Sequence, residues 1–572
     1  MIYGEERKTI SFDRGLWLTD DLDAVPEGYC ANLVNLMVNG AGSLEIRPNF
    51  VPAYNYPNAT TTLSNLANIN PLYLSGSMAD FASRTSYNWS TFDLQGSADT
   101  DPAVVAFEAE SGSYNVFTVT MDGTYYGTVA LAGAGGIPQA IAQYRNRYYV
   151  IEKTNTYGDV VCRYNWGGAY SLSRTVVATL SSQPLIDLVA FRDRLFALKH
   201  NSSRVFYSDQ AAVGGYPETW STSQFFDLPD SGAKLKRAFV ANDRLYLFTT
   251  NGLYYLYANG APSNWQLVPV STEIKIQSYD DVNYIGGVFF FTDRRSIFAY
   301  NGSSTITEIG QPIKSALRAR VADYAIPLEV AVQHYNGPSS FKFFPYLDGF
   351  IFACCHFTYN ASTLIYSKNK YYYFSGSTWS EVQFDEDRSG SNKGHYDLLG
   401  TYRNKAFKTF STERYSLNDG LLELRYNGAT TSVVTVMSTI RHSNEDIDIA
   451  DRETKFALFT RDLEVEMTNV ARIKEIRLDF HNTLGQLIFS PYIDGVYSNT
   501  DSPTTAIDGM RKYRVPVERQ RGNSVSIAIS GSLTKTSATD QSVFMYPSFR
   551  LNRIIPIVNT DTRRIPDQTY AS

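Results

Sequence analysis

The sequence predicts an all-β fold: a β-propeller of about six or seven blades followed by a β-sandwich-like platform domain, with loop insertions. Three observations carry that reading. One short sentence of residues recurs along the chain, an apolar run, a tight polar turn and a second apolar run. The clearest copy is Leu188-Val-Ala-Phe-Arg-Asp-Arg-Leu-Phe-Ala-Leu-Lys199, which reads as a β-hairpin. Second, aromatics make up 14% of the chain, with 41 Tyr and 33 Phe, whereas charged residues make up only 19%; that balance favours pleated, half-buried surfaces over helices. Third, the region after about residue 421 loses the repeat but keeps period-two alternation of apolar and polar residues.

The recurrence sets the propeller. Turns of the same kind centre near residues 146, 193, 243, 286, 348 and 404. A loose period of roughly 40 to 50 residues, each holding several short strands, is the signature of a propeller blade. Trp220, Trp265 and Trp379 each follow a small-residue turn near a segment's end, and an aromatic recurring on the outer strand would pack between neighbouring blades.

The organisation expected from these signals runs as follows. Residues 1–50 form an N-terminal arm and first strands. Residues 51–102, rich in Asn, Thr and Ser, form an insertion or loop region. Residues 103–420 form the propeller and 421–560 the sandwich, and 561–572 are a polar C-terminal arm. One helix is expected inside the repeat, over 313–324: Pro312 suits a first turn, and Ile313, Leu317 and Val321 recur at i, i+4, i+8. Its bland reading is a connector packing an apolar stripe. Its sharper reading makes Lys314, Arg318 and Arg320 a basic rib toward DNA or another subunit.

At 572 residues the chain is long enough for several units, and its formal charge of −6 argues against a protein that grips nucleic acid over its whole surface. The four cysteines, Cys30, Cys162, Cys354 and Cys355, do not make a disulfide framework or a metal motif and are expected to be reduced in a protein made in a cytoplasm. The amino terminus has no apolar core of a signal peptide, and no run of 18 apolar residues suggests a membrane span.

Residues 10 to 50 hold the most distinctive non-repeating segment. Gly15-Leu16 is followed by Pro26-Glu-Gly28, then Asn35, then Gly42-Ser-Leu44 and Arg47-Pro48. Read physically, this is an extended arm with a Pro-x-Gly turn, a short apolar strand, and a Gly-rich turn into a second strand. In that order, ahead of propeller-like hairpins and a β-rich C-terminal block, the segment resembles the opening of tail nozzle proteins (the tail tubular protein B class) of short-tailed bacteriophages. The resemblance runs over the whole chain in dispersed signals and rests on Gly15, Leu16, Pro26, Gly28, Asn35, Gly42, Leu44, Arg47 and Pro48. It implies a virion protein of the tail, made in the host bacterial cytoplasm, and a homohexameric ring below the tail adaptor protein. Such a ring conducts and retains viral double-stranded DNA, and its rim offers attachment to tail fibre or spike proteins. The sandwich would be the platform that binds the machinery above.

Chemistry is hard to find in the sequence. Nucleophile elbows, phosphate-binding loops, dinucleotide fingerprints and zinc-protease motifs do not occur, and the six histidines are scattered. The expectation is therefore no enzyme, with no catalytic residue, cofactor or metal assigned. Arg511, Lys512 and Arg514, continued by Arg519 and Arg521, form a second basic stretch for DNA or subunit contact; the competing reading is a strand with one exposed charged face, since acids and bases balance from residue 430 onward. An alternative from another class is a glycan-binding or glycan-cleaving propeller acting in host recognition, with exposed Trp and Tyr as sugar platforms. Ser375-Gly-Ser-Thr-Trp379 carries part of the Asp-box of sialidase propellers but lacks its upstream aspartate.

Overall fold

A computed structural model describes residues 5–7, 9–19, 24–46, 50–52, 92–93, 102–108, 114–120, 125–130, 137–145, 147–154, 157–166, 172–180, 183–303, 305–321, 324–327, 341–346, 349–360, 363–383, 394–402, 405–412, 420–424, 453–464, 471–482, 486–501, 512–518, 521–534 and 549–559. The C-terminal arm, and most of the 51–102 region, lie outside these residues. The fold is a β-propeller joined to a β-sandwich.

Seven four-stranded antiparallel meanders follow one another among the described residues. Blade one spans 92–130, blade two 137–179, blade three 185–227, blade four 235–271, blade five 282–308 and blade six 342–382. Blade seven combines 394–424 with the strand Phe50–Pro52 from the N-terminal region. First strands of successive blades meet: 137–144 touches 185–191, 185–191 touches 235–241, and 342–346 touches both 282–285 and 394–402.

The six recurring hairpins are the first hairpins of blades two to seven. Each closes through two residues, in the pairs Tyr144↔Arg147, Phe191↔Arg194, Ala241↔Arg244, Ile285↔Val288, Tyr346↔Gly349 and Tyr402↔Lys405. In blades three, four and five both turn residues have positive φ: Arg192 and Asp193 at 50° and 57°, Asn242 and Asp243 at 48° and 59°, Gly286 and Gly287 at 58° and 86°. That geometry matches the twist of the strands it joins.

Stacking of blades explains why the second strands read as unbroken apolar runs. Leu195 and Ala197 face the core shared with blade two, while Phe196 and Leu198 face the core shared with blade four. Leu245 and Leu247 likewise turn to blade three, and Tyr246 and Phe248 to blade five. With sheets on both sides, both faces of the strand are buried, as in other sandwiched sheets. The outer strand 220–227 alternates partly and fully exposed residues instead. Trp265 lies 4.8 Å from Tyr207 and 5.5 Å from Phe196, wedged between blades three and four. Trp220 packs against the core of blades two and three, and Trp379 is buried in the large core described next.

The sandwich has two sheets. A seven-stranded one contains 5–7, 36–38, 44–46, 471–482, 512–516, 521–522 and 549–559. An eleven-stranded one runs from blade six (342–382) through 15–16 and 29–34 into 453–460, 524–534, 486–493 and 496–497, with 463–464 on the flank. Phe456 stacks on Phe549 at 4.5 Å, and Phe489 on Tyr513 at 5.2 Å, across the interior.

The expected helix over 313–324 is corrected. Residues Gln311–Leu317 form a short 3-10 element broken at Ile313, where φ is −114° and ψ is 17°; Arg318–Val321 then pairs as a strand with Tyr324–Pro327. Ile313 and Leu317 still enter the core, but the hairpin uses the backbone groups that a continued helix would have needed.

Candidate functional site

The family-motif segment folds into a splice between propeller and sandwich. Gly15 sits at φ +82°, and a Cβ there would stand 2.6 Å from the Trp379 carbonyl oxygen, so only glycine fits both the conformation and the space. Gly15 pairs in parallel with Tyr29 on one side and Trp379 on the other. Leu16 is fully buried. Pro26 and Gly28 build the turn that returns the chain: the Tyr29 N–H donates to the Pro26 carbonyl at 3.2 Å, and the Gly28 carbonyl accepts from Arg14 at 3.0 Å. Strand 29–34 then pairs with 453–460.

Asn35 ends that strand at φ 56°. Its N–H donates to the Glu381 carbonyl at 2.8 Å, and its side-chain oxygen accepts the Gln383 N–H at 2.8 Å. Glu381 of blade six and Gln383, one residue beyond it, are thus fixed to the N-terminal strand by one asparagine. Gly42, at φ +76°, turns the chain within the Asn39–Ser43 loop, where the Asn39 side chain accepts from Ala41 and Ser43. Leu44 is fully buried and pairs with Leu551 of the seven-stranded sheet. Seven motif residues therefore gather around one junction; Arg47 and Pro48 lie outside the described residues.

The basic candidates do not converge with it. Lys314 is exposed and points to Glu308 at 3.3 Å. Arg318 and Arg320 lie on the strand Arg318–Val321. Lys512 and Arg514 share the exposed side of strand Lys512–Pro516, opposite Asp479 and Arg477, while Val515 turns inward. Arg511 lies outside the described residues.

A set of buried charges that sequence reading missed joins blades three, four and five. Asp187 is buried on the first strand of blade three. It accepts the Leu188 N–H at 2.9 Å, the Ala238 N–H of blade four at 2.7 Å, and the Tyr279 hydroxyl at 3.3 Å. Asp281 accepts the N–H groups of Gln277 and Ser278 at 2.9 and 2.8 Å and faces the Arg294 guanidinium at 3.3 Å. Burial raises the carboxyl pKa of both, to about 6 for Asp187, with Arg237 and Arg294 respectively pulling the other way. Burial also lowers the ammonium pKa of Lys236, against the attraction of Asp281. The available signal was an acid standing inside the apolar run Leu185–Phe191. Between blades two and three, Glu218 gathers Arg147 at 2.6 Å, Tyr149 at 2.8 Å and Arg163 at 2.8 Å.

Apart from Asp281 Oδ1, which is buried with no hydrogen-bond partner, these carboxylate oxygens are taken up by backbone donors, tyrosine hydroxyls and ion pairs, which suits holding blades together. Among the described residues no cluster of three or more His, Cys, Asp or Glu could hold a metal ion. Cys30, Cys162 and Cys354 are buried, and burial pushes the Cys30 thiol well up from its ordinary range, Asp13 adding to it. No described helix is long and apolar enough to cross a membrane.

No family model matches the chain, and no curated protein matches it. Solved structures similar to it include exo-β-1,3-galactanase from Phanerochaete chrysosporium with galactose, at 12% identity and a TM-score of 0.24, covering 75% of this chain and 96% of that one. A variant of that enzyme with β-1,3-galactotriose gives 12% identity and 0.25 over the same shares. The expectation that the chain is no enzyme is corrected here: the similar structures are glycan-cleaving enzymes, and a missing short motif does not exclude carboxylates paired only by folding. A likeness of this size carries no reaction over to this chain.

Proposed function

We propose that the chain is a structural component of a bacteriophage tail, a nozzle-type subunit. It would assemble as a homohexameric ring below the tail adaptor protein, conduct and retain viral double-stranded DNA, and present a rim to fibre or spike proteins. The observation that supports this reading is the splice. Seven of the nine residues behind the nozzle resemblance, far apart in role as single motifs, meet where propeller and sandwich are sewn into one continuous sheet. A conduit that bears pressure needs its two parts to move as one body, and shared strands provide that better than a linker. The net charge of −6, repeated around a ring, would repel phosphate and let DNA pass without sticking.

Negative-stain images of the purified chain, alone and mixed with adaptor rings from the same virion, test the reading. A ring with a central hole, or docking onto the adaptor, is expected. A chain that stays monomeric and fails to bind the adaptor sinks it. The second reading, a propeller that binds or cleaves a glycan, draws on the exposed aromatics Phe225 and Tyr257 of blades three and four; binding and reducing-end release on host polysaccharide separate it from the first.

A further inference from the structure

We propose that the outward face of the seven-stranded sheet of the sandwich binds the phosphate backbone of double-stranded nucleic acid. The proposal stands apart from the tail reading, since a monomer that binds DNA and a ring that ignores it are separate outcomes. It begins with how folding sorts the charges of four strands of that sheet. Ala471–Asn482 brings three Arg or Lys residues, Lys512–Pro516 and Phe549–Asn559 two each, and Arg521–Gly522 one; the acids in these strands are Glu475 and Asp479. Ile473, Ile476, Leu478, Val515, Leu551 and Ile554 point into the core. The basic side chains lie on the other side of the sheet, exposed or half-buried. The balance of acids and bases that the sequence shows from residue 430 onward does not hold on this face.

Register sets like charges against each other. Arg477 stands opposite Arg514, and Arg472 opposite Arg521, in antiparallel pairs. Side chains so placed start about 5 Å apart, and like charges there are destabilising. Acids answer part of this charge: Glu475 takes Arg477 at 2.6 Å, and Glu45 takes Arg550. Asp479 lies opposite both Lys512 and Arg553, so one carboxylate serves two cations. Among the described residues, Lys512, Arg514, Arg521 and Arg553 make no ion pair. The sheet carries this repulsion on its hydrophobic side, and a polyanion laid across the face removes it.

The character of the face selects the polyanion. A protein partner is held by a desolvated core of apolar and aromatic side chains from which charges are depleted. No large apolar side chain is exposed on these strands among the described residues, and Tyr513 packs inward on Phe489. Single strands are held by stacking on aromatics, which the face does not offer. Guanidinium forks fit phosphate oxygens. Alternate residues of a strand recur on one face every ~7 Å, so the cations form rows suited to a regular polyanion. Duplex DNA is one, with a negative charge per about 1.7 Å of axis. The chain as a whole has a formal charge of −6, which confines the attraction to this face.

Fluorescence anisotropy of the full chain with a labelled duplex of about 20 base pairs tests this. Contacts from the four unpaired cations predict a slope of log K on log salt of about −3.6, a loss of about a hundredfold between ~50 and ~200 mM salt. Arg514→Gln combined with Arg521→Gln is expected to bind more than about tenfold more weakly and to flatten the slope by about 2. Its melting temperature is expected to equal or exceed the parent's, because two like-charge oppositions are gone. If it melts lower, Lys512→Gln with Arg553→Gln, the other two unpaired cations, decides by the same binding readings. A single strand of the same length is expected to bind less tightly than the duplex. No duplex binding at ~50 mM salt, an unchanged slope in the variant, or tighter binding of the single strand overturns the proposal. Capture of polyglutamate where duplex is not bound overturns it as well, and assigns the face to an acidic protein.

Discussion

The seams between blades and the interior of the sandwich are both buried, yet they are made differently. Blades two to five each carry apolar cores shared with their neighbours, and across those cores run directional polar links: Tyr144 to Asp193 at 2.6 Å, Arg192 to Asp243, Glu218 to Arg147 and Arg163, and Asp187 to Ala238, while the buried pair Arg294–Asp281 ties blade five to the turn that leads into it. The sandwich interior is instead an aromatic and aliphatic seam of Phe456, Phe480, Phe489, Phe549, Ile476 and Leu551. Apolar burial gives a seam its energy but no direction. Similar flat sheets stacked side by side could slide or rotate, and polar links select one rotation at each step. Two sheets that share strands with a splice are already registered by their backbone pairing, and need only area.

Breaking the splice should therefore cost most. Trp379 is among the largest fully buried side chains, and its indole N–H donates to the Ile309 carbonyl at 2.8 Å. Trp379→Ala should destabilise the chain by about 3 to 5 kcal/mol, read as a lower denaturant midpoint in which propeller and sandwich signals fall together. Gly15→Val attacks the same place from the backbone side, through φ and the 2.6 Å approach to Trp379; comparable loss and rapid proteolysis near residue 15 are expected. If either variant melts only the sandwich and leaves the blades untouched, the two regions are not sewn together.

Next comes the removal of a polar link. Arg294→Leu leaves Asp281 buried without its cation, and losing one partner of a buried pair costs about 3 kcal/mol or more. The sign of its pH dependence follows from the direction already set. Burial holds the Asp281 carboxyl pKa above its ordinary value, and Arg294 opposes that; without the arginine it rises further. The folded variant then binds a proton that its unfolded chain does not, so its deficit should be largest at neutral pH and shrink as pH falls. A deficit that is flat with pH would place the loss in packing against Phe341, whose ring lies 5.6 Å from the guanidinium, and not in charge.

The contrast also explains what could be read in advance. The blades are local: strand, two-residue turn and strand lie within one window, so Phe191-Arg-Asp-Arg194 and its counterparts announced the hairpins and, by recurrence, the propeller. Polar joints are not local. Asp187 meets Ala238 and Tyr279 across 51 and 92 residues, and only the oddity of an acid in an apolar strand hinted at it. The splice was half legible. Its glycines and Pro26 stood out as turn formers, while Asn35 was read only as part of a strand, and nothing in residues 10–50 says that they lie between residues 378–382 and 453–460. The helix over 313–324 failed because an i, i+4 stripe also fits a 3-10 turn entering a hairpin, and Val321 and Tyr324 favour strands.

A milder change sharpens the comparison further. Glu218→Gln keeps shape and removes the charge that gathers Arg147, Tyr149 and Arg163. The group is about a quarter exposed, so solvent screens part of the loss, and about 1 to 2 kcal/mol is expected. The effect should be local to the loop that Glu218 anchors, seen as faster proteolysis beside Val213 with the global midpoint little moved.

The smallest effect belongs to the outer rim of a blade. Arg204 grips Asp227 through two contacts of 2.8 Å and lies 3.6 Å over the Phe225 ring. The arginine raises no barrier between blades, because both partners sit on neighbouring strands of blade three. The bond holds the Asp227 carboxyl below its usual range, yet both side chains are a third or more exposed. Arg204→Ala should cost under about 1 kcal/mol, and less at high salt. Arg204→Lys retains the charge but not the paired donors or the flat stacking on Phe225. If the lysine variant behaves like alanine, geometry is what matters at the rim as well; if it behaves like the parent, charge alone suffices there, and directional links are a property of the seams between blades only.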